Sequence, residues 1–148
     1  MRPIRLSLIL LVLSCAEPTA TSSRAAAPTT AAPQPGNSYV VNAANRTAYV
    51  RIGAVGGDGG EPVHAFVRRM FESADSASAQ RLVIDLRSIS GGDTRLLVPL
   101  IKGVVMRDRF AQGGGLYLVI GPDSFSPAQN AARLLEQYAN PIVVHEAP

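Results

Sequence analysis

"RLVIDLRSISGGDTRLLVPLIKGVV", residues 81–105, is the stretch that decides how this chain is built. Its first six residues form a short apolar run of the type that a parallel sheet buries on both faces. A loop rich in glycine and serine follows. Leu96, Leu97, Leu100, Ile101, Val104 and Val105 then recur at helical spacing. Asp93 stands where a helix cap is needed, and Pro99 predicts a kink inside the helix. A strand running through a loop into a helix is half of a βαβ unit, so neighbours of the same kind would define the fold.

Such neighbours lie on both sides. "LYLVI", residues 116–120, reads as another buried strand, and the segment from Ser126 to Tyr138 predicts the helix after it. "PIVV", residues 141–144, predicts a closing strand. Upstream, "TAYVRIGAV", residues 47–55, alternates apolar and polar residues and is rich in β-formers. "GGDGG" turns the chain, and Val63, Phe66, Val67, Met70, Phe71 and Ala74 predict a helix from about residue 61 to 75. The order β-α-β-α-β-α-β, with strands near 47–52, 81–86, 116–120 and 141–144, predicts an α/β domain. Its sheet should be mainly parallel, with right-handed crossovers. Ligand and catalytic groups of such sheets collect beyond the carboxyl ends of the strands. Two loops fall there: "DLRSISGGD" and "GPDSFSPAQN". Turning and capping alone would also call for their Gly, Ser and Asp residues.

Of the 148 residues, the first 38 do not read as core. "MRPIRLSLILLVLSC" carries two early arginines and an apolar run from Leu6 to Leu13 that is too short to span a bilayer. Residues 1–14 are therefore expected to be a signal peptide. "VLSC" has the form of a bacterial lipobox, which makes Cys15 the expected lipidation site; cleavage after Ala16 or Ala20 is the alternative. Cys15 is the single cysteine, so no intrachain disulfide can form. Residues 15–38, rich in Ala, Pro and Thr, predict a disordered tether, because they cannot bury enough apolar surface to offset their ordering entropy. Residues 39–148 then form the folded domain, expected outside the cytoplasm on a lipid anchor at the cell envelope, or secreted.

The formal charge of +3 falls to +1 when Arg2 and Arg5 are removed, since 12 basic residues then face 11 acidic ones. No basic stripe with interleaved aromatics occurs, which argues against nucleic acid as a partner. No His/Asp/Glu cluster has metal-ligand spacing, so neither a metal nor another cofactor is called for.

Taken together, "DLRSISGG" (residues 85–92), "SFSPAQ" (residues 124–129) and "IVVHEAP" (residues 142–148) resemble the C-terminal processing, or tail-specific, family of serine peptidases. The likeness spans about residues 47 to 148. It implies a ClpP/crotonase-like core and peptide-bond hydrolysis through an acyl-enzyme, with a peptide or protein as substrate. Ser126 would be the nucleophile, and Gly91 and Gly92 would bring a backbone N–H to the oxyanion. Asp85, Arg87 and Glu146 would shape the site, with an Asp85–Arg87 ion pair at the strand end as the structural reading. The chain departs from the family in three places. Pro127 follows the serine and has no N–H to give. Ile89 stands where the motif has asparagine. The family's lysine would fall beyond residue 148, and Lys102, the single lysine, lies upstream. His145, beside the strand that leads to Ser126, is the remaining candidate base, and His64 reads as a partly buried packing residue. The alternative function is a non-catalytic lipoprotein module that binds a peptide or another ligand.

Overall fold

A computed structural model describes residues 36–89, 91–122 and 124–146. The expected signal, Cys15 and the tether as far as residue 35 lie outside the described residues, as do Ser90, Asp123 and the last two positions. Five strands, β1 (Ser38–Asn42), β2 (Thr47–Arg51), β3 (Arg81–Asp85), β4 (Leu116–Ile120) and β5 (Ile142–His145), form one sheet in sequence order. From β2 to β5 all pairings are parallel. The helices are α1 (Val63–Ser76), α2 (Val98–Val105), α3 (Asp108–Ala111) and α4 (Ser126–Tyr138).

The first strand corrects the sequence reading, which placed Ser38 in the tether and recognised no strand before residue 47. β1 runs antiparallel to β2, making the sheet mixed. Its hairpin is closed by Asn42, whose Oδ1 accepts from the N–H groups of Ala44 at 3.0 Å and Asn45 at 3.3 Å. Tyr39 anchors the strand by packing edge-on against Phe66 of α1, with ring centroids 5.7 Å apart.

Strands that follow one another across a sheet through right-handed crossovers put all their helices on one face. The burial agrees. Ala48, Val50, Leu82, Ile84, Leu116 and Leu118 alternate along β2, β3 and β4 and are fully buried under the helices. The apolar stripe of α1 (Val63, Phe66, Val67, Met70, Phe71 and Ala74) joins the same core. Residues at the intervening positions, including Tyr49, Val83 and Tyr117, face the other way, where no helix lies among the described residues.

The region between β3 and β4 differs from the expected single kinked helix. Asp93 does cap, but the element it starts is a 3-10 turn, Thr94–Leu97, where its side chain accepts from the Arg95 N–H at 2.9 Å. α2 begins only at Val98, so Pro99 falls in its first turn, where a missing N–H costs nothing, and no kink is needed. Gly103 lets α2 approach α1 closely: a Cβ there would lie 2.1 Å from Cε2 of Phe71. The short α3 has no counterpart in the sequence reading.

Candidate functional site

Because β3 and β4 are parallel, the loops leaving them emerge at the same end of the sheet. Gly91 and Gly92 lie in the first loop and Ser126 begins the helix after the second. α4 packs against the Thr94–Leu97 turn, and Nδ2 of Asn130 lies 3.4 Å from both Thr94 Oγ1 and Ser126 Oγ. The shared sheet end thus matches the expectation for Gly91, Gly92 and Ser126. Gly92 has a backbone reason to be glycine: its φ is +120°, and a Cβ would come within 3.0 Å of Val55.

The local chemistry around Ser126 is sparse. The sequence allowed Ser126 to be explained as a helix cap. The structure corrects that, since Phe125 is the N-cap and makes no side-chain capping bond, and Ser126 is the first helical residue. Ser126 is exposed, and among the described residues the one group at its Oγ is the Asn130 amide, which cannot accept a proton at neutral pH. The start of a helix normally offers several free N–H groups. Here Pro127 has none, and the N–H groups of Ala128 and Gln129 both turn back to the Phe125 carbonyl, at 2.9 and 3.2 Å. Among the described residues, the N–H groups of Phe125 and Ser126 donate to no acceptor, and the residue after the serine has no N–H to offer.

Ser124, not Ser126, organises the loop. It is 6% exposed, and its Oγ accepts from the Gly121 N–H at 2.9 Å while its own N–H donates back to the Gly121 carbonyl at 3.1 Å. Its carbonyl accepts from Nε2 of Gln129 at 3.0 Å, which ties the turn to α4. A serine two residues before the expected nucleophile carried no sequence signal separating the two roles.

His145 ends β5 opposite Ile120 and is exposed, with no side-chain hydrogen bond among the described residues. The structure therefore does not join it to Ser126. His64 is exposed on α1 rather than partly buried. Lys102 is exposed on α2. Among the described residues no group of three or more His, Cys, Asp and Glu could hold a metal ion, and no helix is long and apolar enough to cross a membrane.

The strongest polar constellation at this end of the sheet is built on Asp85, which is fully buried at the carboxyl end of β3. Its carboxylate accepts from the Arg87 backbone N–H at 3.1 Å, from Nε of Arg87 at 3.0 Å and Nη2 at 2.8 Å, and from the Tyr49 hydroxyl. Nε of Arg51 lies 3.7 Å away. Arg87 Nη1 then reaches Glu146 at 2.8 Å, so three strand ends are tied together. Burial alone would raise the Asp85 carboxyl, but the bonds from Arg87 and Tyr49 outweigh it and hold it below the ordinary carboxylate value. The Tyr49 phenol is pushed up, first by burial and then by its bond to Asp85. The Asp85–Arg87 ion pair expected from the sequence is present. Tyr49 and Arg51 were missed, because only the β2–β3 register sets Arg51 opposite Asp85 with Tyr49 two residues before it.

Compared with protein-family models, with curated proteins and with solved structures, the chain matches none.

Proposed function

We propose that this is an exported, lipid-anchored module that holds a peptide at the carboxyl end of its sheet and does not cleave it. In this reading the domain is a ClpP/crotonase-like core related to the tail-specific serine peptidases. Ser126, Gly91 and Gly92 line the binding loops instead of running an acyl transfer. The observation that carries the reading is the surroundings of Ser126. A serine nucleophile needs a base within hydrogen-bond reach and donors aimed at the oxyanion. Among the described residues its Oγ meets only an amide, and Pro127 has no N–H to give as the donor after the serine. Losing one oxyanion donor alone costs on the order of 100- to 1,000-fold in turnover. Peptide binding is supported by β5, an edge strand beside these loops, onto which an extended chain could add a further strand.

The test uses the full chain and fluorescein-labelled casein as an unstructured probe. The expected result is a rise in fluorescence anisotropy without release of fragments, together with no labelling of Ser126 by a fluorophosphonate. Labelling at Ser126 or cleavage of casein would return the domain to the active peptidases, with His145 or a partner chain as the base. Absence of any anisotropy change would reject the binding role.

A further inference from the structure

At the opposite end of the sheet, away from Ser126, a cleft of about 580 Å³ opens where β2, β3 and β4 begin. Arg46, Arg81 and Arg109 line it together with Gln80, Tyr117 and the glycines at 113–115, and no carboxylate is among its lining residues. We propose that this cleft is a binding site for a small phosphorylated ligand.

Charge is the first argument. Among the described residues most arginines sit against a carboxylate: Arg51, Arg68, Arg69, Arg87, Arg95, Arg107 and Arg109 all have one within 4.0 Å. Of the three that do not, Arg133 is exposed on α4, while Arg46 and Arg81 both line this cleft. Their hydrogen bonds go to backbone carbonyls instead, Arg46 Nε to Ser78 at 3.1 Å and Arg81 Nη1 to Asn45 at 3.4 Å. Arg109 shares Asp75 with Arg107, and its Nε is buried without a hydrogen-bond partner. Three guanidiniums around one hollow thus share a single carboxylate, which Arg107 also holds, and a bound anion would offset the remaining positive charge.

The second argument is geometry. The β2–β3 register brings the starts of the two strands side by side, with Thr47 opposite Arg81. The Arg46 carbonyl accepts from the N–H groups of Gln80 and Arg81, at 2.8 and 3.1 Å, so the two arginine-bearing segments are fastened to each other by backbone. Gly115 closes the third side: its carbonyl accepts from the Leu82 N–H at 2.7 Å, and a Cβ on it would lie 2.3 Å from the Gln80 carbonyl. A side chain there would force the segments apart. The N–H groups of Gly114 and Gly115 donate to no backbone carbonyl among the described residues, leaving two further donors for an oxyanion.

Ligand class follows from these donors. Guanidinium forks match the tetrahedral oxygens of phosphate, and a phosphate ester with up to two negative charges can engage more than one of them. The volume fits a small molecule, since ligand pockets run from about 300 to 1,000 Å³. Tyr117 offers a ring surface for an attached organic group.

Isothermal titration of the full chain with inorganic pyrophosphate at low salt tests the assignment, with acetate as a second titrant. Pyrophosphate is expected to bind and acetate not. Arg81→Gln should weaken binding at least tenfold, whereas Arg133→Gln, on the exposed side of α4, should leave it unchanged. Circular dichroism of each variant shows whether it is folded. Should Arg81→Gln not fold, chemical-shift changes at Tyr117 and Gly113–Gly115 on adding pyrophosphate to the unaltered chain replace it. No binding at about 10 mM pyrophosphate, where even a millimolar site would be mostly filled, would overturn the proposal. So would equal loss with Arg133→Gln, acetate binding as tight as pyrophosphate, or shifts confined to residues outside the cleft.

Discussion

Replacing Asp85 by alanine should cost more stability than any surface change in this domain. The side chain is fully buried and accepts four hydrogen bonds, three from Arg87 and one from Tyr49. Alanine would leave the Arg87 guanidinium, the Tyr49 hydroxyl and the nearby Arg51 without their shared acceptor. Breaking a buried ion pair by removing one partner costs about 3–5 kcal/mol. At roughly 4 °C per kcal/mol for a domain of this size, the melting temperature should fall by about 12–20 °C. The outer arm of the same network gives an internal control. The Glu146 side chain is about half exposed and, among the described residues, bonds only to Arg87, so Glu146→Ala should cost less than about 1 kcal/mol. Thermal unfolding followed by circular dichroism measures both. The network also carries a pH dependence of known sign. Because the folded-state carboxyl is held below its ordinary value, its stabilisation is complete above the unfolded value near 3.9. It is lost as pH falls through the lower folded value, and Asp85→Asn should flatten that acid limb. A loss of under about 1 kcal/mol for Asp85→Ala, below the range for a broken buried pair, would refute the reasoning. An acid limb unchanged in Asp85→Asn would refute its electrostatic part.

Ser126→Ala should change stability by no more than about 0.5 kcal/mol, as for an ordinary surface site. Ser124→Ala, which strips a partner from the Gly121 N–H, should cost about 1–3 kcal/mol; urea unfolding separates the two. Gly103→Ala forces a methyl into the Phe71 ring and should destabilise by about 1–3 kcal/mol in the same assay. Expression in a bacterial host should give membrane-associated protein with a lipid on Cys15, released or stalled by Cys15→Ala; a mature N-terminus at Glu17 or Thr21, read by mass spectrometry, would contradict this.

Local patterns were enough to identify most elements of this domain. The period-3.6 spacing of Val63, Phe66, Val67, Met70, Phe71 and Ala74 can be satisfied only by a helix with one apolar face, and α1 buries those residues. The run Leu82 to Leu86 and the run Leu116 to Ile120 are too short for helices and too apolar for loops. The alternation of such strands with helices was therefore legible, and with it the parallel sheet and the loops at its carboxyl end. What the chain could not disclose is everything that depends on which strand lies beside which, and in what register. β1 is a strand because Tyr39 finds Phe66 and β2 finds a partner, both distant in sequence. Ser126 had the sequence context of a cap, yet the turn closed by Ser124 and Gly121 set the helix start so that Phe125 took that position. Tyr49 and Arg51 read as ordinary polar positions of an alternating strand until the β2–β3 register set them against Asp85. Arg46, Arg81 and Arg109, separated along the chain, became one basic cleft only when three strand starts came together. Hydrophobic period is a property of neighbours in sequence, whereas charge clusters and nucleophile environments are properties of neighbours in space, and tertiary structure alone decides those.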